Sequence, residues 1–150
     1  MTICIVDTSI VLELLNVPGY VAQHSLLLAE FAIRQRKRES FLLSLVVLIE
    51  TGNHIAHVAD GSARRKSAED FVAFAVQALD GKLPFVPTPS PDAEQIRSWL
   101  ADFPTCAMAE IGLADRSLIA LWDGQRELHQ GRRVYIWSLD KHLSGYDTGE

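Results

Sequence analysis

Two hydrophobic periods alternate along the 150-residue chain: short unbroken runs of Ile, Val, Leu and aromatic residues, and longer stretches with apolar positions every third or fourth residue. The first kind suits strands buried on both faces, the second amphipathic helices. Ile3-Cys4-Ile5-Val6 predicts the first strand, and Asp7-Thr8-Ser9 directly after it predicts a strand-to-helix turn in which Thr8 or Ser9 caps the helix. A short helix is expected over Ser9 to Leu15, stopped near Pro18-Gly19, then a long one over Tyr20 to Arg38 that closes on the basic cluster Arg34, Arg36, Lys37 and Arg38. Phe41 to Leu43 reads as a second strand, and Ser44 is placed to cap a helix over Leu45 to Val58 that carries Glu50 in its otherwise apolar first half.

Beyond Asp60-Gly61-Ser62, a helix with the core stripe Phe71, Phe74, Ala75, Ala78 and Leu79 ends at Asp80-Gly81. A brief strand is expected over Leu83 to Pro87, within a Pro-rich crossover, and a helix over Pro91 to Leu100 with Asp92 and Glu94 in its first turn. From Ala107 the pattern is helical to about His129, with a break at Gly112 and a buried face of Leu118, Leu121 and Trp122. Arg133 to Ser138 predicts a last strand that leaves through Leu139-Asp140. Residues 145–150 show no apolar pattern and are expected to fray, so the domain is read as 1–144. Strands alternating with helices predict an α/β fold around a parallel sheet.

The polar residues at the strand ends carry the chemistry. An aspartate is costly to bury without a partner, so the first strand delivers Asp7 to its own C-terminal edge, where open parallel sheets bind ligands. Asp140 leaves the last strand in the same way, and Glu50 and Asp115, near the starts of helices, fall toward that edge too. Two like charges ~4 Å apart repel by about 4 kcal/mol at an effective dielectric of ~20, so four carboxylates gathered there require protons or a bound cation. An oxygen-only set favours Mg²⁺ or Mn²⁺. Singly, each acid has a plainer reading: Asp7 as a cap, Asp115 as a first-turn residue, Asp140 as a turn residue, Glu50 as the partner of an arginine. The four together point to a metal site.

Composition narrows the picture. A chain that is 48% hydrophobic and 22% charged fits one globular domain, and its net charge of −5 argues against wrapping nucleic acid by bulk electrostatics. No apolar run approaches the ~20 residues that span a bilayer, so a soluble, cytoplasmic protein without membrane partners is expected. Cys4 and Cys106 have neither disulfide-framework nor metal spacing and are read as reduced thiols. The basic runs Arg34 to Arg38 and Arg64-Arg65-Lys66 are read as solvated surface, or else as guides for RNA. Trp99, Trp122 and Trp137 are read as core or dimer face.

Val6-Asp7-Thr8-Ser9 after an apolar strand, Glu50 at the end of Ser-Leu-Val-Val-Leu-Ile-Glu, the segment Gly112 to Ala120 around Asp115, and Ile136 to Leu143 around Asp140 resemble the four acidic motifs of PIN-domain nucleases. Residues 3 to 143 carry the resemblance, in order. It implies a three-layer α/β/α fold with a mostly parallel sheet, and a metal-dependent endoribonuclease of the VapC-like toxin kind, homodimeric and neutralised by a cognate antitoxin. The chain departs from the pattern in ending within ten residues of Asp140. A fifth strand is therefore expected to be rudimentary or missing, leaving a sheet of four. Leu143 also stands where the last motif often has Phe.

The implied reaction is RNA phosphodiester hydrolysis with one or two Mg²⁺ or Mn²⁺ ions. Asp7 and Asp115 would be the main ligands, with Glu50 and Asp140 completing the shell. Ser138 and Thr8 are candidates to orient a phosphate or a metal-bound water. Asn53 and His54 share the helical face of Glu50 and are candidates for substrate contact or support. Arg116 and Lys141, sequence neighbours of two acids, are candidates for phosphate contact, although neighbours on a helix point about 100° apart. Zinc on Glu50, His54 and His57 is the less favoured metal reading. Two further functions stay open: a phosphatase with Asp7 as nucleophile, whose usual second aspartate is here Ser9, and a catalytically silent PIN-like binding module. RNA and DNA are not distinguished by the acidic pattern.

Overall fold

The computed structural model describes residues 1–20 and 22–149. Among these, four strands and six helices run in the order β1 (Ile3–Val6), α1 (Thr8–Leu14), α2 (His24–Arg36), β2 (Ser40–Leu43), α3 (Leu45–Ile55), α4 (Gly61–Leu79), β3 (Phe85–Pro87), α5 (Ala93–Met108), α6 (Leu113–Leu128) and β4 (Val134–Trp137). The strands form one sheet in the order β3-β2-β1-β4, with every pair parallel. The α/β reading is borne out, with four strands. Two steps, β1 to β2 and β2 to β3, move one way along the sheet, and the third returns past β1 to β4. Right-handed crossovers then set α1 to α4 on one face and α5 with α6 on the other, an arrangement compatible with three layers.

Burial follows from this order. Every residue of the two unbroken apolar runs, β1 and β4, is buried, as expected for strands covered on both faces. Phe31 of α2 stacks on Phe85 and meets Phe41 edge-on, which ties the helix to β2 and β3. A smaller cluster of Leu12, Val17, Ile55 and Val58 joins the ends of α1 and α3, with Ala63 and Phe71 of α4 packed against it. Cys4 and Cys106 are both free, and burial pushes the Cys4 thiol up to about 12, so it behaves as a small core residue. No helix among the described residues is long and apolar enough to cross a membrane.

Three local differences from the sequence pattern have physical causes. The expected helix from Tyr20 begins only at His24, because the buried carboxylate of Glu13 accepts the N–H groups of Ala22 and Gln23 and holds the preceding segment as a turn; Val21, inside that expected helix, lies outside the described residues. The helix begun after Pro91 continues through Pro104 to Met108, started by a capping box between Asp92 and Gln95 and paired with α6 through Asp102 and Arg116. Leu79, counted in the core stripe of α4, is 64% exposed at the helix end.

Of residues 145–150, expected to fray, 145–149 are described and Glu150 lies outside the described residues. The Ile136 N–H donates to the Tyr146 carbonyl and the Thr148 N–H to that of Val134, so this segment runs antiparallel beside β4 as the rudiment of a further strand. Arg133 forks onto both oxygens of Asp147, at 3.0 and 2.8 Å, and holds that carboxyl below its usual range. The binding elements are single polar residues and one aromatic, Tyr146, packed on Trp122, none of which makes a period.

Two glycines, Gly52 of α3 and Gly124 of α6, lie inside helices without a positive φ, and a Cβ on Gly52 would meet Phe71 at 3.5 Å. A Cβ added at Gly124 meets no atom within 4 Å. Replacing Gly124 with alanine should stabilise the protein by about 1 kcal/mol, read as a higher urea midpoint at unchanged slope.

Candidate active site

The pairing register places the acids. Ile5 is level with Leu42 and Val6 with Trp137, so past the strand ends Asp7 comes level with Ser44 on one side and Ser138 on the other. The Asp7 N–H still bonds the Trp137 carbonyl, at 3.1 Å. Strand β1 is also where the connections reverse direction, and the crevice at such a switch point is the usual ligand position in an open parallel sheet.

Asp7 occupies the N-cap position of α1, yet its side chain makes no capping bond. Instead its Oδ2 accepts two hydroxyls, from Ser9 at 2.8 Å and from Ser138 at 2.7 Å. The same hydroxyl oxygens accept backbone N–H groups in turn, Ser9 from Leu139 and Ser138 from Asp140. Asp140 closes the loop by accepting the His142 N–H at 2.8 Å. A carboxylate only 5% exposed is thus aimed by donors from the start of α1 and the exit of β4 rather than spent on its helix.

The other acids face it from α3 and α6. Glu50 is half-buried, and its carboxyl is raised above the usual range by burial and by the charge of Asp7, while the nearby Thr8 hydroxyl and His54 oppose that shift. Asp115, in the first turn of α6, is pushed up to about 6 by burial and by the charges of Asp7, Asp140 and Glu50, against a smaller opposing pull from His142. All four predicted acids therefore act on one another. As they stand, no three His, Cys, Asp or Glu side chains among the described residues are grouped tightly enough to hold a metal ion.

The supporting candidates divide. Ser138 is bonded to Asp7, Thr8 lies close enough to Glu50 to lower its proton affinity, and His54 lies beside Glu50 with its ring edge-on to Tyr20. Asn53 is exposed one turn along α3, and its carbonyl accepts from His57. Lys141 is exposed on the turn after Asp140. Arg116 is directed elsewhere: its guanidinium bonds Asp102 of α5 at 2.6 and 3.2 Å, while its Nη1 is buried with no partner among the described residues. The basic run Arg34 to Arg38 ends α2 and leads into β2, so it lies at the N-terminal edge of the sheet, opposite the acids; Arg34 itself covers the Trp137 ring at 4.1 Å. Two residues were missed in sequence. Ser9, expected as a cap or as the residue in place of a phosphatase's second aspartate, instead donates to Asp7, and His142 has as its one sequence signal its place two residues after a strand-exit aspartate.

No protein-family model matches the chain, and no curated protein matches it either.

Proposed function

We propose that this chain is a PIN-type, metal-dependent endoribonuclease that hydrolyses RNA phosphodiesters. The observation that carries the reading is the convergence of acids at the exits of β1 and β4: Asp7 and Asp140 are linked through Ser138, and Asp115, raised to about 6 by burial first and then by the charges of Asp7, Asp140 and Glu50, faces them from α6. Such a concentration of negative potential, built wholly from oxygen donors at a switch-point crevice, fits a hard divalent cation. When bound, Mg²⁺ or Mn²⁺ would polarise the phosphoryl group and lower the pKa of a coordinated water.

The chain's own residues have separable tasks. Asp7 and Asp115, from β1 and α6, are the principal ligands, and Glu50 and Asp140 complete the set. Ser9 and Ser138 fix the Asp7 carboxylate so that it does not rotate onto the α1 N-terminus. The phosphatase reading is less well served: a nucleophilic Asp7 would need an acid partner where Ser9 stands, and that hydroxyl is bonded to Asp7 itself. A toxin role with a neutralising antitoxin, and a homodimer, follow from the resemblance to VapC-like proteins and belong to the same proposal.

The test is incubation of the purified protein with a mixed single-stranded RNA pool and Mg²⁺ or Mn²⁺, beside a DNA pool and an EDTA control. Metal-dependent RNA cleavage is the expected result. Cleavage of DNA alone would reassign the substrate, and silence on both with the folded protein would favour the binding module. Ser138→Ala, which removes one of the two hydroxyls on Asp7, should lower cleavage by about 10–100-fold while leaving the melting curve in place.

A further inference from the structure

A groove of about 470 Å³ lies beside the acids at the same edge of the sheet, between the exits of β2 and β3 and the α5–α6 pair. Its walls continue the elements that carry the acids: Ser44 is level with Asp7 in the sheet register, and Val46 shares the face of Glu50 one turn along α3. We infer that this groove is a nucleobase subsite, which receives one unstacked base next to the phosphodiester held at the acidic cluster. This assignment rests on the nuclease reading above and extends it to substrate selection.

The lining chemistry separates base from phosphate. None of the described residues that line the groove is charged, so it offers an anion no ion pair and a neutral heterocycle no penalty. Trp99 supplies a ring for stacking, while Thr88, Ser98 and Gln125 supply neutral hydrogen-bonding groups for base edges. The Ser44 oxygen accepts the Val47 N–H, which leaves its hydroxyl proton to donate, and Ser117 donates to Ala114, which leaves its oxygen to accept. Volume is in the ordinary range for small-molecule sites.

The second observation is Gly124. This helix-interior glycine lines the groove, has no positive φ, and would bring no clash with a side chain. Neither backbone nor packing requires it, and its helix is weakened by it. What it provides is open volume in the groove wall.

The experiment is titration of the full chain in EDTA with adenosine, guanosine, cytidine and uridine, followed by tryptophan fluorescence. Saturable quenching by at least one nucleoside is expected, with Asp7→Asn binding as wild type does. Gly124→Leu, which fills the groove from a position where a side chain meets nothing, should weaken that binding at least tenfold while the protein stays folded by circular dichroism. Trp99→Phe should lose most of the quench. No saturable binding of any nucleoside, or binding unchanged in Gly124→Leu, would overturn the subsite. A dimer in sedimentation that Gly124→Leu dissociates would instead give the groove to a second copy. Because the titration contains no metal and reads no cleavage, nucleoside binding without RNA hydrolysis would retain the subsite and reject the nuclease. Hydrolysis without binding would do the reverse.

Discussion

Asp7→Asn is expected to abolish metal-dependent RNA cleavage, by at least about 10³-fold, while the protein remains folded. The metal contributes several kcal/mol of transition-state stabilisation in reactions of this kind, and each ~1.4 kcal/mol is a decade in rate. Asparagine keeps the size of the side chain and an oxygen that can accept from Ser9 and Ser138, so the β1–β4 connection survives. What is lost is the charge at the centre of the cluster. A second consequence separates this account from simple loss of structure: Asp115 and Glu50 are both raised in part by Asp7, so removing its charge should lower both pKa values. Carboxyl titration followed by NMR reads that shift directly. If cleavage falls less than tenfold, Asp7 is not a metal ligand in the reaction.

The second large effect is on stability, and its sign is set by Asp115. Its folded pKa, about 6, lies above the ordinary aspartate value of 3.8, so the native state binds this proton more tightly than the unfolded chain does. Stability from this group is therefore fully present below about pH 4 and is lost as pH rises through about 6; Glu50 shifts in the same direction. A shift of about two units corresponds to about 3 kcal/mol, and because Asp115 is half-exposed, solvent screening reduces this to about 1 kcal/mol. In EDTA the protein should melt higher at pH 5 than at pH 7.5, apart from other titrations, and Asp115→Asn should flatten that difference. Mn²⁺ at about 100 times its dissociation constant should add about 2.7 kcal/mol at pH 7.5 and much less at pH 5, where protons compete for the same oxygens. A melting temperature indifferent to Mn²⁺ at both pH values would count against the metal site.

The four acids were legible because each stands at a junction that sequence marks clearly: an apolar run ending in Asp7 or Asp140, a serine cap ahead of Glu50, a glycine break ahead of Asp115. Their convergence required only that the strands be parallel, which the intervening helices dictate. What stayed hidden were pairings between residues far apart in sequence with no periodicity to reveal them. Ser138 on Asp7, Asp102 on Arg116 and Asp147 on Arg133 are of this kind. Arg116, adjacent to an acid in sequence, was a natural phosphate candidate, and the 100° step of the helix was enough to turn it onto α5. Helix α5 runs past Leu100 and through Pro104, whose missing N–H removes one helical bond, a loss tolerated on a largely solvent-exposed helix.

The place of β1 in the sheet also bears on synthesis. The hydroxyl of Ser138 reaches Asp7 across 131 residues, and the final strand lies directly against the first. On the ribosome the first acidic residue emerges long before the serine that aims it, and pairing of such high sequence separation forms late. A nascent chain holding Asp7, Glu50 and Asp115 still lacks the partner strand that completes the crevice. An enzyme that attacks RNA would in this way remain inert while its own message is being read.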